Sequence, residues 1–562
     1  MDVSSGCFTY LCSRTVRSGP RNRCSAFLAA TSGLSLILGS CTGEPEFDLI
    51  LSGGTVVDGT GSSGFVADVG VADGRITQVG DLSAGRARER IDVAGKVVAP
   101  GFIDMHSHAE LDEDYGRDGR PFLAQGVTTV VLGLDGGGSW KVREQLEGWT
   151  RDGIGVNAFA FVGHGAIRRE VMGTEDRAPT EAELQRMREM VREAMEGGAP
   201  GLSTGLFYIP GFYASADEVI ELARVAAEWE GAIYDTHDRD LGATYQGIGY
   251  DASVAEGIRI GEESGLRVIF SHFNPQGATN YGRAGAGIAM IEAAQERGVD
   301  VQAAQHPYTA TQSNLRAYAL PRWASSGGAE AIAARFASPD TLALLQVQIV
   351  ESLAMRGGAE KILFADSDPR LNGKTLAEVA VEWELDVPAT VRRILEENGN
   401  ATVMNLDLYD PENTRLLATM PWMMTCTDGR TPAAGQNTVH PRVYGAFARK
   451  LRNFALDDDL ISLPFAIRSF TGLAADFLRL SDRGYIREGQ RGDLVVLDLD
   501  RYRDFATYED PHQFAEGADF VLVNGELAIR QGSFTGSMSG HAIRRDGSVT
   551  GEDAGESNSG GV

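Results

Sequence analysis

The sequence predicts an α/β fold, a (β/α)8 TIM barrel accompanied by a small composite β-sandwich domain. Residues 101–455 alternate short apolar segments with helical patterns, which is typical of a parallel sheet. Residues 47–100 and 456–545 are instead rich in short strand patterns separated by glycine turns. A chain of 562 residues is long enough for one large barrel and a satellite domain.

Eight apolar segments in the middle of the chain are candidates for the barrel strands. Helical patterns separate several of them, at 181–196, 216–230 and 286–297 among others. Eight βα units are what a TIM barrel requires. The predicted strands end near the following residues: His106, Asp135, His164, Gly205, His237, His272, His306 and Asp428.

A long segment, residues 321 to about 421, separates the predicted strands seven and eight. It contains helical patterns of its own, and a structureless loop of this length would be uncommon inside a compact domain. We therefore predict an inserted subdomain over the mouth of the barrel, before strand eight.

Short strand patterns at both ends of the chain predict the β-sandwich. They occur at 47–51, 55–57, 68–71, 75–79, 493–497 and 520–525. We expect the two groups to combine into one domain. The tail, residues 546–562, is rich in glycine, serine and glutamate and is predicted to be disordered.

The first forty residues have the pattern of a secretory signal. A basic region with four arginines precedes an apolar stretch, residues 26–38, that is short for a transmembrane helix. The stretch ends in Leu38-Gly39-Ser40-Cys41, which resembles a bacterial lipobox. We expect residues 1–40 to be a lipoprotein signal peptide, with Cys41 lipidated and the protein anchored on the periplasmic side of the cell envelope. The alternatives are an ordinary cleaved signal and a misassigned start codon.

Charge and cysteine usage exclude two classes of protein. A formal net charge of −27 argues against a nucleic-acid partner, because such a protein needs a basic face. Four of the five cysteines lie in the first 41 residues, so the main body is not a disulfide scaffold. The expected partner is a small molecule.

Potential metal ligands lie at the ends of several predicted strands. Barrel active sites form at the carboxyl ends of the strands. His106 and His108 end strand one, and residues i and i+2 of a strand point to the same side. Each of the other positions alone is more often an ordinary polar residue, but together they predict one metal site. These positions are His237 on strand five, His272 on strand six and Asp428 on strand eight.

Several motifs resemble the amidohydrolase superfamily and, within it, the D-aminoacylase (N-acyl-D-amino-acid deacylase) branch. The first is Pro-Gly-Phe-Ile-Asp before the His-x-His pair, at residues 100–108. The other matching segments are 125–131, 162–165, 201–208, 236–239, 307–310 and 440–442. The resemblance extends from Phe47 to about Arg545, including both β-rich segments.

This resemblance implies a metal-dependent hydrolase of a linear amide bond, which removes the acyl group from N-acyl-D-amino acids. It implies one or two Zn²⁺ ions held by the strand-end histidines and Asp428. The branch has a cysteine at the end of strand two, where this chain has Asp135, an oxygen donor that zinc also accepts. Asp135 is expected to be a ligand; the alternative is that it only shapes the glycine turn. Strand four offers neither the lysine nor the glutamate that bridges two metals in many amidohydrolases.

Substrate contacts are also implied by the resemblance. Arg442 matches the residue that holds the substrate carboxylate in D-aminoacylase, and its planar guanidinium can donate two parallel hydrogen bonds. The alternative for Arg442 is a surface ion pair. Tyr208 and Tyr308 are weaker candidates for the pocket. His164 is expected beside the metal ligands without binding the ion.

Two positions depart from the branch. Asn274 replaces a lysine that often follows the strand-six histidine, and His306 replaces a tyrosine that often precedes Pro307. Both positions lie near the substrate in the branch, so the preference for a particular D-amino acid is open.

The implied mechanism assigns Asp428 as the general base. Zinc lowers the pKa of a bound water to about 7, and the aspartate would take a proton from this water and return it to the leaving nitrogen. Three alternatives stay open. One is a cyclic-amide hydrolase resembling dihydroorotase or hydantoinase, which usually needs the missing strand-four lysine. The others are a dipeptidase for substrates with a C-terminal D-residue and a lipoprotein that binds a small ligand on an inactive barrel.

Overall fold

The computed structural model describes residues 45–433 and 438–551. The predicted signal peptide, residues 1–40, and Cys41 lie outside the described residues, as does the end of the predicted tail, residues 552–562. Among the helices of the described part, none is both long enough and apolar enough to cross a membrane.

The strands of the described residues are numbered here along the chain. They are β1 Phe47–Val56, β2 Phe65–Ala72, β3 Arg75–Gly80, β4 Ala87–Asp92, β5 Val97–Pro100, β6 Phe102–Asp104, β7 Val127–Leu132, β8 Asn157–Ala160, β9 Val162–Gly163, β10 Gly201–Gly205, β11 Ile233–His237, β12 Arg267–Phe270, β13 Val301–Gln305, β14 Thr311–Asn314, β15 Ile362–Phe364, β16 Thr402–Asn405, β17 Met423–Thr425, β18 Leu494–Leu497, β19 Ala518–Val523, β20 Glu526–Arg530 and β21 Ser533–Phe534.

The α-helices are numbered in the same way. They are α1 Arg120–Leu123, α2 Val142–Asp152, α3 His164–Met172, α4 Glu181–Glu196, α5 Ala216–Ala226, α6 Tyr250–Ser264, α7 Ala284–Glu296, α8 Leu315–Ala319, α9 Gly328–Ala337, α10 Pro339–Ala354, α11 Leu376–Glu382, α12 Val387–Asn398, α13 Pro411–Ala418, α14 Arg442–Arg449, α15 Leu463–Phe470 and α16 Gly472–Leu478. The predicted helix 181–196 forms as α4, which begins at a capping box between Thr180 and Glu183.

The predicted parallel barrel is confirmed. Its strand order is β6, β7, β8 with β9, β10, β11, β12, β13 and β17, and every pairing between neighbours is parallel. Strand three is split into β8 and β9 at Phe161. Backbone hydrogen bonds close the ring between β6 and β17, including one of 2.8 Å from Asp428 N to the carbonyl of His106.

The interior of the barrel is an apolar core closed at the amino-terminal end of the strands. Inward residues such as Ile103, Phe159 and Met424 form one buried cluster with side chains of α16. Arg267, at the start of β12, donates to the carbonyl of Phe477 in α16. The helix therefore covers the bottom of the barrel and leaves the carboxyl ends of the strands as the open face.

The β-rich segments form one nine-stranded sheet from both ends of the chain. β18 pairs with β5, which joins the carboxyl-terminal strands β18–β21 to the amino-terminal strands β1–β5. The two predicted strands 47–51 and 55–57 are one strand, β1, with a register shift between Leu51 and Gly54. Residues from both ends, such as Leu49 and Leu522, share a buried cluster, so the sheet encloses a common core.

The boundary of the carboxyl-terminal β segment is wrong in the prediction. The sequence pattern predicts that residues 456–545 belong to the β domain, but α15 and α16 lie within this range and pack on the barrel. The reason is their apolar helical face: Leu473 and Phe477 are buried against the barrel interior. The strands of the domain resume only at β18.

The inserted subdomain is present, with different limits from the predicted 321–421. It begins at β14, because β14 pairs with β16 and β16 pairs with β15 in a separate antiparallel sheet. It ends near β16, because α13 packs against α7 of the barrel. The insertion has its own buried core, which includes Phe336 and Leu376 and reaches Phe207 of the barrel.

The predicted disorder begins too early. Residues 546–551 are ordered by backbone hydrogen bonds, since Val549 bridges to Ile543 and Thr550 N donates to the carbonyl of Ala542 at 3.0 Å. Val549 and Thr550 are also buried. These contacts hold residues 546–551 in place although their polar, glycine-rich composition predicts disorder.

Candidate metal centre

Four side chains from three different strand ends converge at the open face of the barrel. His106 and His108 follow β6, Asp135 follows β7, and Asp428 follows β17. One potential ligand atom from each lies within 4.8 Å of all the others. His108 Nε2 lies 3.3 Å from Asp428 Oδ1 and 3.4 Å from Asp135 Oδ2. The described side chains therefore include a compact cluster of nitrogen and oxygen donors.

His237 and His272 lie against the same cluster. His272 Nε2 is 3.6 Å from Asp135 Oδ1, and the rings of His237 and His272 have centroids 4.5 Å apart. His106 Nε2 is 3.5 Å from the same Oδ1 atom. Asp135 thus stands between the histidines of strand one and those of strands five and six. The structure brings all six predicted ligands together.

The backbone at three of these positions has a left-handed conformation. Asp135, His272 and Asp428 have φ angles of 56°, 30° and 48°. Non-glycine residues adopt this region at some energetic cost, and such residues cluster at functional sites where the surrounding structure holds them in place. Each of these residues follows a strand end, where the chain turns its side chain towards the barrel axis.

Hydrogen bonds from the supporting residues orient the imidazoles. The Ser271 hydroxyl donates to Asp235 Oδ1 at 2.7 Å, so its oxygen is available to accept from His106 Nδ1, which lies 2.8 Å away. His237 Nδ1 donates to the carbonyl of Asp238 at 3.0 Å. In both rings the proton is thereby placed on Nδ1, and the lone pair of Nε2 faces the cluster.

Asp235 and Asp104 are fully buried, and the sequence did not predict their supporting roles. Asp235 also accepts from Ser203 at 2.7 Å, and the Ser203 hydroxyl oxygen accepts from the backbone N–H of Gly136, next to Asp135.

Asp104 accepts from the backbone and hydroxyl of Thr427 and so ties strand one to strand eight. Burial raises the pKa of Asp104 to about 6 despite these bonds. An aspartate within an apolar strand pattern, two residues before His106, was the signal in the sequence for the role of Asp104 in joining strands one and eight.

The end of β10, the fourth barrel strand, explains why no lysine or glutamate is present there to bridge two metal ions. A Cβ atom at Gly205 would lie 2.1 Å from the carbonyl oxygen of Asp135. Any side chain at this position would therefore displace the loop that carries Asp135. The glycine is required by the close approach of the two strand ends, and neither lysine nor glutamate fits there.

The electrostatics of the cluster favour a cation. Burial disfavours protonation of His108, yet its hydrogen bonds with Asp135 and Asp428 raise its pKa to about 9. Burial alone would raise the pKa of Asp428, but Arg442 and the neighbouring histidines hold it well below its usual range. Asp135 Oδ1 and His272 Nδ1 are buried without a hydrogen-bond partner. Two ionised carboxylates beside four imidazoles are a donor set that suits zinc, and a bound cation would take the place of the proton that the carboxylates hold on His108.

Arg442 and Tyr208 lie in the cavity beside this cluster. Arg442 is 4% exposed, which excludes the alternative of a surface ion pair, and its Nη1 lies 2.5 Å from Asp428 Oδ2. Its Nη1 also approaches His306 Nε2 at 3.2 Å. Burial and Arg442 lower the pKa of His306 well below its usual value, so this imidazole is neutral. Tyr208 packs edge-on against His237, with ring centroids 4.8 Å apart.

Tyr308 and His164 form their hydrogen bonds with carboxylates other than the predicted metal ligands. Tyr308 is not among the residues that line the cavity: its hydroxyl approaches Asp504 at 3.5 Å and Arg449 stacks on its ring. The substrate role of Tyr308 therefore stays a prediction, and the contacts of its hydroxyl and ring with Asp504 and Arg449 give it no support. His164 begins α3 and lies 3.1 Å from Glu218, with no hydrogen bond to a predicted ligand.

The cavity over the cluster has a volume of about 390 Å³ and is closed partly by the insertion. Gln312 and Ser313 of β14 and Tyr318 of α8 line it together with Phe207. Asn274, at a position where the sequence departs from the branch, donates to Thr414 at 2.8 Å. The sequence predicted an insertion at the barrel mouth but contained no signal for which of its side chains would face the site.

Comparisons with known proteins agree with this geometry. Residues 89–529 match the amidohydrolase family. The D-aminoacylase of Alcaligenes xylosoxydans xylosoxydans is 34% identical over 525 residues, covering 89% of this chain and 98% of that protein. A solved D-aminoacylase with a binuclear metal centre superposes with a TM-score of 0.75 at 34% identity, covering 88% of this chain and 99% of the other. The N-acyl-D-glutamate deacylase of Bordetella bronchiseptica, solved with zinc and a phosphonate mimic of the tetrahedral intermediate, gives a TM-score of 0.75 at 31% identity, covering 89% of this chain and 99% of that chain.

Proposed function

The chain belongs to the amidohydrolase family of carbon–nitrogen hydrolases, and from this premise we propose that it removes the acyl group from N-acyl-D-amino acids. The observation that carries the proposal is the convergence of six metal-ligand candidates with Arg442 at one cavity. The metal side of such a cavity can hold the amide, and the guanidinium can hold the carboxylate of the same substrate. The alignments with the D-aminoacylase and the N-acyl-D-glutamate deacylase cover 98% and 99% of the lengths of those two proteins.

Zinc is the cofactor that this donor set suits. His106, His108, His237 and His272 supply imidazole nitrogens, and Asp135 and Asp428 supply oxygens, which are the ligand types that zinc accepts. When bound, zinc supplies a Lewis acid that activates water and polarises a carbonyl. The number of donors is sufficient for one or two ions, and Asp135 lies between the two groups of histidines.

Asp428 is the residue that moves the proton. Its carboxylate is ionised at neutral pH because Arg442 and the neighbouring histidines lower its pKa. Oδ1 of Asp428 can accept a proton from the attacking water and return it to the leaving nitrogen. The water oxygen then remains on the acyl carbon, the C–N bond breaks, and the products are a carboxylate and a free amino acid.

Arg442 is proposed to bind the substrate carboxylate. It is the first residue of α14 and is buried at the edge of the cavity. Its Nε atom is buried without a hydrogen-bond partner, so part of its donor capacity is free for a ligand. Binding through a planar guanidinium fixes the orientation of the amino acid, which is the basis for chiral discrimination.

The test is hydrolysis of paired enantiomers by the zinc-loaded protein. N-acetyl-D-leucine should release acetate and D-leucine, whereas N-acetyl-L-leucine and a hydantoin should remain intact. The matched variant Asp428→Asn should fold and keep most of its zinc but lose about 10²–10⁴-fold in kcat. Hydrolysis of the hydantoin alone, or of a dipeptide with a C-terminal D-residue in preference to the N-acetyl compound, would favour those rival substrates. Binding of these compounds without turnover would favour the alternative of an inactive barrel that binds a small ligand.

Export and lipidation are a separate proposal. We infer that residues 1–40 are a lipoprotein signal and that Cys41 carries the lipid anchor, as the basic region, apolar stretch and Leu-Gly-Ser-Cys ending support. Incorporation of labelled palmitate into the expressed protein should occur with the natural sequence and be lost in Cys41→Ser. Equal labelling, or none in either, would remove Cys41 from this role.

A further inference from the structure

A second cavity adjoins the metal centre on the side away from Arg442. It has a volume of about 270 Å³ and shares three lining residues, Asp135, Tyr208 and Asn314, with the first cavity. Its walls are glycine-rich loops that follow β7, β9 and β10, together with residues of the insertion. The fourth barrel strand, β10, lies opposite the eighth, β17, in a ring of eight strands. Arg442 follows β17 and contacts Asp428, so this cavity and Arg442 lie on opposite sides of the barrel axis.

The walls of this second cavity carry three arginines. Arg169, Arg316 and Arg322 line it, and within the described part of the chain none of them forms an ion pair with a carboxylate. Among the described residues that line the cavity, Asp135 is the only acidic one, and it faces the metal cluster. Three guanidinium groups gathered without counter-charges are unusual in a chain whose net charge is −27.

Of these three arginines, Arg322 retains a buried, unused hydrogen-bond donor, whereas Arg169 is exposed and donates to the carbonyl of Ile209, and Arg316 is half-buried. Nη2 of Arg322 is buried without a partner, and burial beside Arg356 lowers the pKa of Arg322 to about 9. Arg322 stacks on Phe207 and Phe212, which satisfies the face of its guanidinium but not its N–H groups. An anion within the cavity would accept from these donors and supply the missing charge.

The position of this cavity relates it to the acyl half of the substrate. This step rests on the proposed function. With the substrate carboxylate at Arg442 and the amide at the metal centre, the acyl chain extends away from Arg442, past Asp135 and Tyr208. We propose that the second cavity binds the acyl group and that the preferred acyl group carries a terminal carboxylate. The substrate class is therefore the half-amide of a dicarboxylic acid with a D-amino acid, and hydrolysis yields a dicarboxylate and the free D-amino acid.

The test compares the N-succinyl and N-butyryl derivatives of one D-amino acid. Both have a four-carbon acyl chain, and only the succinyl group ends in a carboxylate. The zinc-loaded protein should hydrolyse the succinyl derivative with a kcat/KM at least about tenfold higher, as expected for a charge-assisted hydrogen bond. In the double variant R169Q/R316Q, and in R322Q, which removes the unpartnered donor, this preference should fall towards one. R186Q, on the exposed face of α4, is the matched control and should keep the wild-type preference.

The outcomes separate this inference from the proposed function. Equal kcat/KM values for the two derivatives, or a preference that persists both in R169Q/R316Q and in R322Q, would overturn the inference while the deacylase activity stands. If neither derivative is hydrolysed, the proposed function fails, and calorimetric binding of succinate and butyrate to the same protein then decides. Tighter binding of succinate that is lost in the double variant supports the cavity, and equal binding overturns it.

Discussion

Nη1 of Arg442 lies 2.5 Å from Oδ2 of Asp428 in the buried cavity. One guanidinium therefore contacts the proposed general base and is also placed to hold the substrate carboxylate. The contact couples binding to proton transfer, because Arg442 is the strongest of the neighbouring charges that lower the pKa of Asp428.

Substitution of Arg442 tests this coupling. Arg442→Gln should reduce kcat/KM by about 100-fold, mainly through KM, because a charge-assisted bidentate contact is lost. The acid limb of the kcat profile should move to higher pH, since a cation that lowers the pKa of Asp428 is removed. Steady-state kinetics from about pH 3.5, the lower end being set by the low pKa of Asp428, to about pH 9 measure both effects, with Arg442→Lys as the variant that keeps the charge. An unchanged KM would exclude Arg442 from carboxylate binding.

The serine–aspartate pair behind His106 is expected to support metal affinity. Ser271→Ala removes the acceptor for His106 Nδ1, and Asp235→Asn changes the group that fixes the Ser271 hydroxyl. Each should weaken zinc binding by about 10–100-fold, as is usual for partners of metal-binding histidines. Competition with a zinc chelator measures this affinity, and far-UV circular dichroism checks the fold. Wild-type affinity in both variants would mean that the pair has no part in orienting the imidazole.

The role of Asp135 as a metal ligand can be tested by replacing it with cysteine, the residue that the D-aminoacylase branch has at this position. Asp135→Ala should lose much of the zinc affinity, whereas Asp135→Cys should restore or exceed it because a thiolate is a softer zinc ligand. Metal content after dialysis against a chelator distinguishes the variants. If Asp135→Ala holds as much zinc as the natural protein, Asp135 serves only to shape the glycine turn.

Lys450 provides a test of the electrostatics of the buried core. Its ammonium group contacts the hydroxyls of Thr425 and Ser469, and burial lowers its pKa to about 7 from 10.5. The unfolded chain then binds more protons than the folded chain between pH 7 and about 10.5, so this group's contribution to stability rises with pH in that window. Below pH 7 its burial cost is fully present.

The variant Lys450→Met should therefore gain stability relative to the natural protein most clearly at or below pH 7. The difference in Tm, expected to be about 2–4 °C, should shrink as the pH approaches 10. Both proteins share every other titrating group, so the difference isolates Lys450. A difference in Tm that does not change between pH 6.5 and 9.5 would contradict a lowered pKa.

The positions of the metal ligands were predictable because the physics of a parallel barrel is regular. Strand ends meet at one face, so histidines that follow apolar segments must converge there once the strands are recognised. The six predicted ligands gather for this reason, although His106 and Asp428 are separated by more than three hundred residues.

Residues whose roles depend on contacts between distant segments of the chain were not predictable in the same way. Asp235 lies within an apolar strand pattern, and its role depends on Ser203 and Ser271 from the two neighbouring strands. Tyr308 follows a matched strand end, but its orientation is set by Asp504, which is far away in sequence. The limits of the insertion depend on the pairing of β14 with β16, which no local pattern encodes.

The most direct test of the account is the crystal structure of the zinc-loaded protein, recorded at the zinc absorption edge. One or two anomalous peaks are predicted between the four imidazoles and the carboxylates of Asp135 and Asp428, at about 2.0–2.2 Å from the ligand atoms. Zinc found only at other positions, with His106, His237, His272 and Asp428 unbound, would contradict a metal centre at this rim of the barrel.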